Sequence, residues 1–242
     1  MYRHLPAMKT RFRLVLVFAA ILVPGFAADS TPLRIEQTVD PHFPAALAFS
    51  PVSNGEARVV VNIDADGKLV DWLVAGYSDK AFADEAVAAL KQWRYQPPTR
   101  RGEPVGARRE LRFYFNSTGR VVSLSSMELP DYFMQRVAPP QLVSLVCALP
   151  DLDRPITAVQ TVNPWHPDRA KQVPLPAGTV LVDFYIDEAG QPRMPVVLDS
   201  THEAYAQAAV EALSQWRFTP PTRHGTPVAV RVQQRFVFSA GS

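Results

Sequence analysis

Two closely related heptapeptides, QWRYQPP at 92–98 and QWRFTPP at 215–221, lie 123 residues apart in this chain of 242 residues. The same offset aligns the sequence around them without a gap. Across 84–105 and 207–228, 14 of the 22 aligned positions are identical. Self-similarity of this length marks a repeated structural unit. The chain is therefore predicted to contain two copies of one domain.

The first copy begins with the pattern of two strands joined by a tight turn. Apolar residues occupy alternate positions across 59–63, which is the period of a half-buried strand. Asp66-Gly67 follows and favours a tight turn, because glycine accepts a positive φ at little cost. A second strand is predicted across 68–75.

A helix is predicted after the second strand. Phe82, Ala86, Leu90 and Trp93 fall at i, i+4, i+8 and i+11, and so form one apolar stripe. The heptapeptide is then expected to form the last turn of this helix. Pro97 and its neighbour prevent continuation, since the residue before a proline avoids helical angles.

A third strand is predicted from Arg108 to Phe115, which gives the element order β-β-α-β. The second copy repeats this order, with a first strand at 182–186 and a third strand at 230–238. Pro192 and Pro195 fall in its second strand. Because proline cannot donate to a ladder, that strand is predicted to be short or at a sheet edge.

The predicted fold class is therefore α+β, with two tandem β-β-α-β domains that each pack one helix on a small antiparallel sheet. We place the domains at 33–116 and 156–239. The connector at 117–155 is rich in apolar residues and proline. It is therefore expected to pack on the domains rather than to act as a free linker.

Residues 1–28 have the pattern of a secretory signal peptide. Four basic residues precede an uncharged apolar run from Leu14 to Val23, and Pro24-Gly25 and small residues follow it. A short membrane anchor is the alternative interpretation. The uncharged stretch ends at Ala28 and is shorter than the roughly 20 residues that a spanning helix needs, so export with cleavage is predicted.

The charge balance excludes one class of partner. Residues 1–27 contain four basic and no acidic residues, so the net charge changes from +2 to −2 when they are removed. The rest of the chain therefore gives no argument for binding nucleic acid.

The sequence gives no sign of catalytic chemistry. Cys147 is the single cysteine, which excludes an intrachain disulfide, and its apolar neighbours favour a buried, unreactive thiol. The histidines do not recur between the copies. No zinc, phosphate-binding or nucleophile-elbow motif is present. No catalytic residue, metal site or cofactor is predicted, and the protein is not expected to be an enzyme.

Basic residues cluster around the third strand of the first copy. A solvated face is the default interpretation of such a cluster, and contact with an acidic partner or lipid headgroups is the alternative. The residues are Arg100, Arg101, Arg108 and Arg109, of which the second copy keeps Arg223 and Arg231.

The repeated unit resembles the C-terminal domain of the TonB family. The resemblance depends on the turn at Asp66-Gly67 or Ala189-Gly190, the leading Asp40-Pro41-x-x-Pro44 or Asn163-Pro164-x-x-Pro167, and an aromatic closing strand. It depends most on a tryptophan-arginine-aromatic-x-proline signature. The signature residues are Trp93, Arg94 and Pro97 in the first copy and Trp216, Arg217 and Pro220 in the second.

The resemblance implies a periplasmic, non-catalytic protein that binds a protein or an extended peptide. In that family a partner segment adds as a strand to the edge of the sheet, a mode that depends mainly on backbone hydrogen bonds. The edge of the third strand is the expected site in each copy. Its residues are Arg109, Leu111, Phe113, Tyr114 and Phe115, and Val232, Gln234, Phe236 and Phe238.

The implied partner is an outer-membrane receptor or another envelope component, and the membrane itself only if the N-terminus is uncleaved. One alternative is a TonB-type energy transducer, anchored in the inner membrane and facing the periplasm. The apolar run lacks the polar residue that such anchors usually present, and the spacer before Val39 is short. Another alternative is a purely architectural envelope protein in which both sheet edges are closed.

Overall fold

The computed structural model describes residues 30–117, 122–125, 141–167 and 175–240, and for 122–125 only the backbone is considered. The predicted signal peptide or anchor at 1–28 therefore lies outside the described residues, as does much of the connector. No helix in the described part of the chain is long and apolar enough to cross a membrane.

The first copy forms a five-stranded antiparallel sheet with one helix packed on it. Its elements, with two strands from the connector, are β1 (Arg34–Gln37), β2 (Asn54–Ile63), β3 (Leu69–Tyr77), α1 (Lys80–Leu90), β4 (Arg94–Gln96), β5 (Thr99–Arg100), β6 (Glu103–Pro104), β7 (Ala107–Asn116), β8 (Val122–Ser125) and β9 (Val143–Ser144). The sheet order is β8-β7-β2-β3-β9. The pairs β1–β4 and β5–β6 form short separate ladders.

The second copy forms a four-stranded sheet with the same core of three strands and one helix. Its elements are β10 (Val146–Cys147), β11 (Ala158–Gln160), β12 (Gly178–Ile186), β13 (Pro192–Ser200), α2 (Glu203–Ser214), β14 (Arg217–Phe218), β15 (Thr222–Arg223), β16 (Thr226–Pro227) and β17 (Ala229–Phe238). The sheet order is β10-β17-β12-β13. The predicted fold class is confirmed, and so is the edge position of the strand that contains two prolines.

The alternation of side chains along the strands decides which residues meet each helix, because successive side chains point to opposite faces. One row of β2 is fully buried against Phe82 of α1, and the matching row of β12 is fully buried against Tyr205 of α2. These rows are Val59, Val61 and Ile63 in the first copy and Val182, Phe184 and Ile186 in the second.

The tryptophan signature begins just after the helix and not within it. Helix α1 ends at Leu90, three residues before the tryptophan of the signature, and Arg94–Gln96 form strand β4. The expectation of a last helical turn was therefore wrong. The Trp93 indole donates a hydrogen bond to the carbonyl of Val39 at 2.8 Å. The second copy repeats this bond at 2.8 Å, so the tryptophan fixes the segment that leads into each domain.

The glycine of each hairpin turn is required by the strand that follows the tryptophan. Gly67 has φ +79°, and a Cβ there would lie 2.3 Å from the carbonyl oxygen of Tyr95. Gly190 has φ +76°, and a Cβ there would lie 2.1 Å from the carbonyl oxygen of Phe218. The glycine turn and the tryptophan signature therefore occur together because they are packed against each other.

The two sheets pack against each other through the faces that point away from the helices. Apolar residues from both copies form a third buried cluster between the sheets. The layer order is helix, sheet, sheet, helix. The cluster consists of Val60, Leu73 and Ala75 from the first copy and Tyr185, Met194 and Ala229 from the second.

A buried carboxylate lies at the centre of this contact. Asp183 is only 1% exposed, and it forms ion pairs with Arg108 of the first copy and Arg231 of its own copy. The Arg108 guanidinium also donates to the Met194 carbonyl at 2.7 Å and lies over the Tyr185 ring. Because its side chain is only 7% exposed, Arg108 is a structural group, and the prediction that it belongs to a surface basic cluster was wrong.

A second ion pair closes the rim of the contact. The Arg193 guanidinium of the second copy donates to the Asp71 carboxylate of the first, with an Nε–Oδ2 distance of 2.9 Å. It also donates to the Trp72 carbonyl at 3.3 Å. The hydrogen bond to Asp71 raises the pKa of Arg193 above its usual value, so this contact favours the charged guanidinium.

The end of the connector joins both sheets within five residues. Strand β9 pairs with β3 at Gly76 and Tyr77, while β10 pairs in parallel with β17 at Ala229 and Val230. The end of the connector therefore contributes a strand to each domain.

We expect the substitution Asp183→Val to lower the free energy of unfolding by about 3–5 kcal/mol, because it leaves the buried Arg108 charge without a partner. Urea denaturation measures this change. The double variant Asp183→Val with Arg108→Met should recover most of the loss, since an apolar pair of similar volume replaces a buried ion pair at little cost. Equal instability of the single and double variants would contradict this account.

A pH effect is expected from Asp153, whose carboxylate accepts hydrogen bonds from the backbone amides of His224 and Gly225 at 2.7 and 2.9 Å. These bonds, the Gly225 bond foremost, lower its pKa. The stabilisation is therefore complete above the unfolded pKa of about 3.9 and is lost as the pH falls through the lower folded value. Asp153→Asn should accordingly lower Tm at pH 7 and have little effect near pH 2; a difference independent of pH would exclude this charge effect.

A candidate peptide-binding edge

In β17, the backbone amide and carbonyl groups of every second residue point away from β12, towards the outer side of the strand. The amide of Ala229 donates to the carbonyl of Leu145 at 2.7 Å, across the side that faces away from β12. Pairing of β17 with β12 is one to one from Val230 to Phe238. The outward positions therefore continue at the odd-numbered residues of β17.

Among the described residues, no strand covers the outer side of β17 beyond its contact with β10. Strand β10 pairs only with Ala229 and Val230, and no other strand in the described ranges lies beside the rest of β17. The outward backbone groups of Gln233, Arg235 and Val237 therefore face away from the sheet. The carbonyl of Arg235 accepts a hydrogen bond at 2.7 Å from the neighbouring Gln234 side chain, which occupies one of these positions locally.

The corresponding edge of the first copy is covered. Strand β8 pairs with β7 from Leu111 to Tyr114, within the segment expected to receive a partner. The amide of Ser117 donates to the carbonyl of Ser53 at 2.8 Å, on the side of β7 that faces β2. The backbone amide and carbonyl groups of the even-numbered residues of β7 therefore point the other way, towards β8. The two copies thus differ at their third strands, although the sequence predicted the same edge in each.

Most of the side chains expected at the edge lie in the cores instead. Phe113 is fully buried and Phe236 is 5% exposed, because both belong to the row that faces the helix. Other members of this row are Leu111, Phe115 and Phe238. Val232 and Gln234 are half-buried, Tyr114 is half-buried on the opposite row, and Arg109 is exposed.

The side chains of the opposite row of β17 were not among the residues predicted from the sequence. Arg231, Gln233, Arg235 and Val237 lie on this row, and Val237 is 73% exposed. The signal was available in the alternation of the strand: once the phenylalanines are assigned to the helix side, the intervening residues must face the other way.

The remaining signature residues stabilise the fold locally. The Arg217 guanidinium donates to the carbonyls of Ser214 and Trp216 at 3.2 and 2.6 Å, next to the C-terminus of α2, where a positive charge complements the helix dipole. Arg94 is exposed. Pro97 and Pro220 lie beside the hairpin glycines of their copies.

The described residues contain no cluster of three or more histidine, cysteine or acidic side chains that could hold a metal ion. Cys147 is buried at the end of β10, and desolvation raises the pKa of its thiol. A raised thiol pKa disfavours the reactive thiolate.

A family model described as Gram-negative bacterial TonB protein C-terminal matches residues 41–117 and 162–240, well over half of the chain. Among curated relatives, Protein TonB of Vibrio cholerae serotype O1 is 34% identical over 82 residues. That match covers 34% of this chain and 33% of the relative, so the chain spans about a third of the relative's length. The solution structure of the Pseudomonas aeruginosa TonB C-terminal domain is similar at 28% identity, covers 38% of this chain and 92% of its own, and has a TM-score of 0.32.

We expect the outward amides of the two third strands to exchange with solvent at different rates. Arg235 and Val237 of β17 should exchange roughly tenfold or more faster than their counterparts Arg112 and Tyr114 of β7, because β8 protects only the latter. Hydrogen exchange followed by NMR measures all four in one sample. Equal protection of the two pairs would show that the β17 edge is covered.

Proposed function

Because this chain belongs to the family of Gram-negative TonB protein C-terminal domains, we propose that it binds an extended segment of a partner protein along the edge of β17, from Val232 to Phe238. The protein acts without catalysis, as an interaction protein of the cell envelope. The bound segment adds a strand to the sheet of the second copy.

The proposal is carried by one observation: within the ranges that the structure describes, no strand pairs with β17 beyond Val230 on its outer side. A sheet edge with unpaired backbone groups is a template for another strand. The chain itself already uses the same edge, since β10 adds to the beginning of β17 in parallel. A partner segment would extend this addition along the remaining residues of the strand.

The number of backbone groups limits the strength of such binding. Gln233, Arg235 and Val237 each present one amide and one carbonyl group to the outside, and a hydrogen bond contributes about 0.5–1.5 kcal/mol net. Association costs an estimated 4 kcal/mol or more. Backbone pairing alone therefore gives weak binding, and side-chain contacts must supply the rest of the affinity and the selectivity.

The first copy has a different role in this proposal. Its third strand is covered by β8, and its sheet holds the second copy through Arg108 and Asp71. The architectural function is therefore assigned to the first copy and the binding function to the second. One partner segment is expected for each molecule.

The proposed location is the periplasm, reached by export and removal of the N-terminal segment. Intact-mass measurement on the protein from fractionated cells tests this location. A mass that begins near Ala28, in the soluble periplasmic fraction, supports it. A retained N-terminus in the inner-membrane fraction would favour the alternative, an anchored TonB-type energy transducer.

We expect the substitution Val237→Pro to weaken binding of an extended peptide by about tenfold or more, because proline removes an outward amide from the edge. An octapeptide of alternating threonine and valine serves as the probe, and NMR titration measures its affinity. Its addition should shift the outward amides of β17 in the unsubstituted protein.

Tyr114→Pro is the matched control, since it alters the aligned position of the first copy. It should disturb the pairing of β7 with β8 and leave the affinity of the peptide unchanged. Circular dichroism measures whether both variants keep their fold. Peptide-induced shifts confined to β7, or unchanged affinity of the Val237→Pro variant, would refute binding at β17.

A further inference from the structure

The structure also indicates which segments the β17 edge selects. We infer that it prefers an acidic extended segment, with acidic side chains at two alternate positions, opposite Gln233 and Arg235, and an apolar side chain at the next alternate position, opposite Val237. This inference rests on the proposed binding at β17 and adds the chemistry of the partner to it.

The geometry of strand pairing places these side chains in contact. Residues directly opposite each other on neighbouring strands have Cβ atoms about 4.5–5.5 Å apart, and diagonal neighbours lie about 7–8 Å apart, within reach of long side chains. An acidic side chain opposite Arg235 would meet its guanidinium directly. One opposite Gln233 would meet an amide and lie diagonally between Arg231 and Arg235.

The positive charge of this row is not neutralised within the described residues. Arg235 is exposed and forms no ion pair there. Asp183 is shared by Arg108 and Arg231, so one carboxylate faces two guanidinium groups. The Arg231 side chain is 54% exposed and can still contact a ligand. The edge therefore carries an excess of positive charge that an acidic segment would balance.

The aligned row of the first copy lacks this excess. Glu110 occupies the position of Gln233, and it forms an ion pair with Arg112 at 3.4 Å. Arg108 is buried against Asp183. In the first copy, where β8 covers the edge, the charge of Arg112 is therefore neutralised by Glu110. In the second copy, where no described strand covers this part of the edge, Arg235 has Gln233 in place of that glutamate. This difference supports a link between the positive charge and ligand binding.

An exposed apolar group marks the far end of the row. Val237 is 73% exposed. The side chain of the partner that lies opposite Val237 would cover part of this apolar surface. At the near end, β10 ends at Cys147, opposite Val230, so the partner strand is expected to begin beyond this point.

Heptapeptides of defined sequence test the inference. The probe is Thr-Glu-Thr-Glu-Thr-Val-Thr, together with its reverse sequence because the direction of the added strand is not specified. One control replaces both glutamates by lysine. A second control, Thr-Glu-Glu-Thr-Thr-Val-Thr, keeps the composition but directs one glutamate to the helix side of the sheet. NMR titration of the exported form of the full chain gives each affinity.

We expect the alternating glutamate peptide, in one of its two directions, to bind about tenfold tighter than the lysine peptide, and the advantage to fall as salt is added. The permuted peptide should lose most of the advantage. The variant Arg235→Glu should remove or reverse the preference. The matched variant Arg112→Glu, at the covered edge, should leave the preference unchanged.

Each of the remaining outcomes would overturn a specific part of the two proposals. Equal binding of the glutamate and lysine peptides at β17 would overturn the acidic preference while leaving the proposed function intact. A preference for glutamate that survives Arg235→Glu would overturn the assignment of the preference to this row. Failure of every peptide, including the threonine-valine octapeptide, to shift β17 would overturn both proposals.

Discussion

The arrangement of the molecule depends on one buried carboxylate. Asp183 is held between Arg108 of one copy and Arg231 of the other, and the contact between the two sheets is built around it. An isolated charge at this depth would be unfavourable by several kcal/mol. The ion pair therefore favours an arrangement of the copies in which Arg108 meets Asp183, and in this arrangement no described strand covers the row of Arg235 and Val237.

The two copies differ more on one face of their sheets than on the other. The row that faces the helix stays apolar in both, as Val59 and Val182 illustrate. The row that faces the other copy has become complementary, with Val60 in the first copy where Asp183 stands in the second. Packing on a helix requires only apolar side chains, whereas the contact between these two sheets also contains the ion pair of Arg108 and Asp183, which requires opposite charges on the two copies. Duplication therefore preserved the first row and differentiated the second.

Local patterns predicted the elements but not their partners. The alternation across 59–63 and the stripe through Phe82 are local signals, and they predicted strands and helices correctly. The pairing of β8 with β7 was not predicted, because β8 lies in the connector, outside the repeated unit on which the prediction was based. Asp183 is the one charged residue among apolar residues across 180–186. This pattern could have indicated that the second face of the strand is also buried and that Asp183 pairs there with a positive charge.

The five residues from Val143 to Cys147 have a consequence for the independence of the copies. Repeated domains in one chain are by default separate units joined by a flexible tether. Here the tether contributes a strand to each sheet, and separating the copies would expose Leu73 and Tyr185 to water. Neither copy is therefore a transferable module. The pair is equivalent to an obligate heterodimer encoded as one polypeptide, with its stoichiometry fixed by covalent linkage.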